Sequence, residues 1–211
     1  MAGCSDGCGS GRFDGMSGRY KAVLKAVVAI NFAAFVVIAV GGLMQGSAAL
    51  AANALDFLAD SVTYAISLWV IGRSIGIRTG AAVLKGASLA AVAVSVLGFA
   101  VWRALTGAPP EGEVITGLAT FGLLSNLLAA ALLFRYREGD ANVRSVWICT
   151  RNDLVHGLAV IAAGGLVWWT GARWPDLLAG GLLALIFLRS AWEIIAQGRG
   201  ELREARIEAH A

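Results

Sequence analysis

The sequence predicts an all-α integral membrane protein, a bundle of six transmembrane helices with both termini cytoplasmic. Three observations carry this. Hydrophobic residues make up 58% of the 211, and the mean hydropathy is +0.72, whereas a soluble domain is about 45–50% apolar. The apolar residues fall into six runs, each near the ~20 residues a helix needs to cross ~30 Å of hydrocarbon. None has the apolar–polar alternation of barrel strands, and only helices or closed barrels satisfy every backbone group in lipid.

In chain order, residues 1–18 (MAGCSDGCGSGRFDGMSG) are too polar and Gly-rich for the apolar core of a signal peptide and read as a flexible cytoplasmic tail. Cys4 and Cys8 offer two thiols there, short of the usual four ligands of a structural metal site, so they are either half of a soft-metal site or idle reduced thiols. The membrane domain covers 19–196. Its first span, 20–44, follows Arg12, Arg19, Lys21 and Lys25; the second, 47–74, leads into a connection flanked by Arg73, Arg78 and Lys85. The third covers 81–105 and the fourth 113–135, after which come Arg135, Arg137 and Arg144. The fifth covers 143–170 and the sixth 175–196, followed by a short tail, 197–211, carrying Arg199, Arg203 and Arg206. The alternate connections hold just Arg103 and Arg173. Positive charge stays on the cytoplasmic side, which places both termini there. Basic span ends account for the net charge of +3 without a nucleic-acid partner. The stretches outside the spans are too short for a soluble domain.

A charged side chain at the centre of a span costs a few kcal/mol on insertion scales, so those present mark function. Span two contains Asn53, Asp56 and Asp60; span five, within ICTRNDLVHG, contains Cys149, Arg151, Asn152, Asp153 and His156. Elsewhere the spans hold Asn31, Arg103, Asn126, Arg189 and Glu193, the last two four apart and read as a local ion pair. Residues three or four apart share a helix face, so Asn53, Asp56 and Asp60 form one polar column, and Cys149, Asp153 and His156 a second.

Facing columns would bring up to three carboxylates and a thiol together near mid-membrane. Three carboxylates cannot all stay ionised there without a cation or protons to compensate them. A site that holds a divalent metal or protons in turn couples their movements. Four donors at i and i+4 on two helices suit a tetrahedral, zinc-like ion, and thiolate favours zinc or cadmium, whereas carboxylate alone suits manganese or magnesium.

Each residue has a plainer reading. One aspartate can simply hydrogen-bond a neighbouring helix, though two mirrored pairs are harder to explain so. Cys149 is either a ligand or a small buried hydrophobe. His156 completes the site, relays protons or bonds a helix neighbour. Asn53 and Asn152 are placed to orient ligands by hydrogen bonds. Arg151, two positions from Asp153, lies on roughly the opposite face and is expected to snorkel.

GSAALAANALDFLAD, from Gly46 to Asp60, resembles the second-span signature of the cation diffusion facilitator family, and the CxxxD of Cys149 and Asp153 stands where that family has HxxxD or DxxxD in span five. The resemblance implies a homodimeric exporter that exchanges a divalent metal for protons by alternating access in a bacterial inner membrane. By position, Asp56, Asp60 and Asp153 match metal ligands, with Cys149 in place of the usual His or Asp, and Asn53 in place of a common Asp. Typical members continue into a cytoplasmic ferredoxin-like domain, so this sequence resembles a short branch without it. Dimer contacts would then come from the spans. Gly72, Gly76 and Gly80 have small-xxx-small spacing, or form a flexible connection between spans two and three.

Two other functions fit parts of the pattern. One is a non-transporting membrane subunit whose acidic pair anchors a partner helix; the other is a proton-coupled exporter of small organic cations. The latter needs an aromatic pocket, but Trp102, Trp168, Trp169 and Trp174 sit near span ends, as interface anchors do. There is no phosphate-binding glycine loop and no hydrolytic constellation, so the sequence reads as a gradient-driven carrier with no cofactor, not an enzyme.

Overall fold

The computed structural model describes residues 17–71, 75–138 and 141–208. Cys4, Cys8, Gly72 and Arg73 lie outside them. The described chain forms six helices and no strand: α1 (Gly18–Gln45), α2 (Ala48–Val70), α3 (Ile75–Thr106), α4 (Gly112–Leu133), α5 (Ala141–Thr170) and α6 (Trp174–Glu208), with a 3-10 turn at Phe134–Tyr136 after α4.

Local chemistry sets the helix ends. Ser17 starts α1, its hydroxyl accepting from the Tyr20 amide at 3.2 Å. Gly46 ends α1 in the left-handed region, at φ 62°, where a side chain would be strained and would also meet the Arg103 guanidinium. Ser47 then caps α2 through the Leu50 amide at 3.0 Å, so one glycine and one serine make the whole α1–α2 turn. Gly171, at φ 60°, turns the chain between α5 and α6.

Two boundaries differ from the sequence reading. Helix α3 begins at Ile75, so Gly76 and Gly80 are helical and do not belong to a loose connection. Helix α6 runs to Glu208, through most of the segment expected as a tail, because GELREARIE is rich in helix-forming Glu, Leu, Arg and Ala. Its 35 residues reach about 52 Å, well beyond a hydrocarbon layer.

Among the described residues, five helices are long and apolar enough to cross a membrane. Helix α2 falls outside that set because Asn53, Asp56 and Asp60 interrupt its apolar sequence, although its 23 residues reach about 34 Å. The surface is inverted relative to a soluble protein: Leu43, Val94, Val101, Leu124 and Leu158 are exposed, while Asp56 and Asp153 are buried. Tryptophans mark two levels. Trp102, Trp168, Trp169 and Trp174 lie at one end of the bundle and Trp69 and Trp192 towards the other. On α6 the 18 steps from Trp174 to Trp192 rise about 27 Å, close to the hydrocarbon thickness.

The tightest helix pairs are α1–α2, α4–α5 and α3–α6. Small residues permit this closeness: a Cβ on Gly164 would stand 2.8 Å from the Thr116 backbone nitrogen, and one on Gly42 would meet Leu50 Cβ at 3.0 Å. Two apolar clusters fill the interior. The larger, towards the α1–α2 turn, contains Ile38, Leu50, Phe57, Ile115, Val160 and Phe187; the smaller, at the opposite end, contains Tyr20, Leu24, Tyr64, Leu133 and Val146. Along α2 the seam between them falls between Phe57 and Tyr64, where Asp60 lies and beside which Asp56 stands.

Candidate functional site

Asp56 and Asp60 sit near the middle of α2, and Asp153 comes twelve residues into α5. Both helices pass through the bundle interior, so their polar faces meet away from either end. Asp56 and Asp153 are buried, at 8% and 5% exposure. Spacing of three puts His156 on the same face as Asp153, and its imidazole reaches across to α2. His156 Nδ1 lies 3.3 Å from Asp56 Oδ2 and 3.8 Å from Asp153 Oδ1. One ligand atom from each of the three lies within 4.8 Å of the other two. Phe187 of α6 meets the imidazole edge-on, with ring centroids 5.8 Å apart, and limits its rotation.

At that separation two carboxylates repel by about 3–4 kcal/mol at an effective dielectric near 20. Asp153 Oδ2 is buried and has no hydrogen-bond partner among the described residues. Buried polar atoms are rarely left so. The arrangement therefore attracts positive charge, and the donor chemistry, two carboxylates and an imidazole, suits a divalent metal.

Asp60 stands one turn along α2, half-buried, within electrostatic reach of Asp56 and Asp153. Its Oδ2 accepts from the Tyr64 hydroxyl at 2.9 Å, and that hydroxyl also lies 3.0 Å from Thr150 Oγ1 on α5. Cys149 lies outside the three-residue group; it is half-buried and packs against the smaller apolar cluster, within electrostatic reach of Asp153 and Tyr64. Asn53 is buried but turns towards α4, where its Nδ2 would meet a Cβ on Gly122 at 3.2 Å. Asn152 is exposed, since one residue rotates it about 100° from Asp153. Arg151 is exposed too, on the face expected for it. Arg189 and Glu193 pair at 2.9 Å on the outer surface, as their spacing implied.

Three polar residues around these columns escape a search for charge at mid-span. Tyr64 and Thr150 hold Asp60, and the column on α2 could have been followed one more turn to find Tyr64. Asp176 is 1% exposed at the start of α6; it accepts from Ser47 Oγ at 2.5 Å and from the Ala48 and Ala49 amides at 2.8 and 3.1 Å. It thereby holds the N-terminus of α2, whose first turn has no acid of its own. An aspartate at a span end looks merely solvated, so the sequence carried no signal for it.

An apolar exterior, a six-helix bundle and a buried carboxylate pair shared by α2 and α5 define a multi-pass membrane protein with an acidic site in its interior. Across residues 24–202 the chain matches the family model for the cation efflux transmembrane domain. It belongs to that family, the cation diffusion facilitators, and is a protein of the bacterial inner-membrane type. It is 30% identical over 178 residues to the zinc transporter ZitB of Escherichia coli, covering 78% of this chain and 57% of ZitB. It is 26% identical over 208 residues to the metal cation efflux system protein CzcD of Cupriavidus metallidurans, covering 93% of this chain and 66% of CzcD. Similarity also extends to the cadmium, cobalt and zinc/H(+)-K(+) antiporter of Bacillus subtilis, 27% identical over 173 residues, covering 74% of this chain and 55% of that protein. The chain thus spans between about half and two thirds of the length of these relatives.

Proposed function

We propose that this chain exports a zinc-like divalent cation by proton antiport, acting as a carrier and not as an enzyme. The observation that carries the reading is the meeting of Asp56 from α2 with Asp153 from α5, ligand atoms within 4.8 Å, in a buried interior. The names of the relatives support it: a zinc transporter, a metal cation efflux protein and a cadmium, cobalt and zinc antiporter.

In this scheme cytoplasmic metal binds Asp56, Asp60 and Asp153 and displaces protons, because carboxylate ligands bind metal in their deprotonated form. The bundle then opens to the other side, where protons neutralise the carboxylates, release the ion and return the carrier. Loss of a site carboxylate should stop both movements. In vesicles containing the purified chain, Asp153→Ala is expected to abolish zinc-driven proton movement; transport at the parental rate would remove Asp153 from the mechanism.

The topology proposed is cytoplasmic termini around a membrane domain at 19–196, supported by Arg19, Lys21, Lys25, Arg135 and Arg137 at one end of the bundle. Labelling of cysteines placed near either terminus from the periplasmic side would contradict it. The working unit proposed is a pair of chains, as the resemblance implies. A particle mass in lipid nanodiscs equal to one chain would exclude the pair.

A further inference from the structure

We propose that His156 is a nitrogen ligand of the transported ion and sets a preference for zinc-like over manganese-like metals; this rests on the transport site proposed above. His156 Nδ1 is 3.3 Å from Asp56 Oδ2 and 3.8 Å from Asp153 Oδ1. An N–H···O bond clusters near 2.9–3.0 Å, so the His156–Asp56 contact is a long hydrogen bond and the His156–Asp153 contact lies beyond one. Donors bonded at about 2.0–2.2 Å to one tetrahedral ion stand roughly 3.3–3.6 Å apart; the His156–Asp56 separation falls in that range and the His156–Asp153 separation is 0.2 Å beyond it.

A second observation points the same way. Asp153 Oδ2, on a side chain more than nine-tenths buried, has no hydrogen-bond partner among the described residues. Beyond His156, the Asp153 carboxylate faces the carboxyl groups of Asp60 and Asp56, which are acceptors like itself when ionised, whereas an ion seated among the three side chains would engage it. The imidazole is also held for the purpose, since Phe187 packs edge-on against it.

This assigns the softer donor to a residue three positions after Asp153 instead of four before it. Cys149 points its stretch of α5 into the apolar cluster around Tyr64 and Val146 and stays outside the ligand group. The consequence is chemical. Carboxylates alone suit manganese and magnesium, and one imidazole shifts the preference towards zinc, cobalt and nickel.

The test uses the full chain purified into lipid nanodiscs and titrated with zinc, cobalt and manganese. His156→Ala should lower zinc affinity by more than the ~10–100-fold that losing an outer partner of a metal ligand costs, while manganese affinity stays near the parental value. That retained manganese binding shows the variant is folded. His156→Asp should tighten manganese and weaken zinc. The parental cobalt spectrum should be that of a tetrahedral oxygen and nitrogen site without a thiolate-to-cobalt charge-transfer band. Unchanged zinc affinity in both His156 variants, or a thiolate band in the parent, would overturn the assignment and leave the transport site standing. A parent that binds none of the three metals would overturn both.

Discussion

Tyr64 shows how a single hydroxyl conditions the site. It donates to Asp60 Oδ2 and touches Thr150 on the facing helix, so it fixes one Asp60 oxygen and leaves the other free to turn towards Asp153. Tyr64→Phe keeps the ring in its apolar cluster and removes that donor. Zinc affinity is expected to fall ~10–100-fold, as for other partners that orient metal ligands, with helicity unchanged by circular dichroism; an unchanged zinc titration would show that Asp60 needs no such hold. At this scale the sequence revealed Asp56, Asp60 and Asp153 because a carboxylate in an apolar run has few innocent explanations. Thr150 was invisible for the opposite reason, since hydroxyl residues are common in membrane helices, while Tyr64 stood in sight one turn beyond Asp60 on the same face. Donor type and spacing left the roles of Cys149 and His156 open, because they cannot tell how far an imidazole reaches across a helix interface.

Helix α2 is held at its N-terminal end by a residue 120 positions beyond Asp56. Asp176 accepts three hydrogen bonds from the first turn of α2 and opposes the positive end of its dipole. Asp176→Ala would leave buried donors unsatisfied, each costing about 1–3 kcal/mol, so a loss of roughly 2–4 kcal/mol is expected in denaturant unfolding in detergent. An unchanged unfolding midpoint would mean that Ser47 alone suffices as cap. Gly164 plays a comparable part between α4 and α5. A valine there would force its branches against Thr116, and Gly164→Val should lower the thermal midpoint of the detergent-solubilised protein, whereas the same change at half-buried Gly165, whose Cβ would meet nothing within 4 Å, should not. The number and order of helices were legible from apolar runs. Their ends were less so, because hydropathy reports where lipid stops, and α6 continues as a helix past that level into charged sequence.

Across the whole molecule, two apolar clusters close the bundle above and below a seam that carries its buried carboxylates. In the proposed mechanism protons and metal compete for the same oxygens there, so binding the ion would release protons. Apparent zinc affinity is therefore expected to rise with pH and fall as acid protonates the ligands; a titration series giving one affinity at acidic and neutral pH would separate metal binding from proton exchange. The central claim is that one ion is shared between α2 and α5. Anomalous X-ray scattering at the zinc edge from the zinc-loaded protein tests it most directly. The predicted result is an ion about 2.0–2.2 Å from a carboxylate oxygen of Asp56 and of Asp153 together. An ion held by residues of one helix alone, or seated at either end of the bundle, would contradict it.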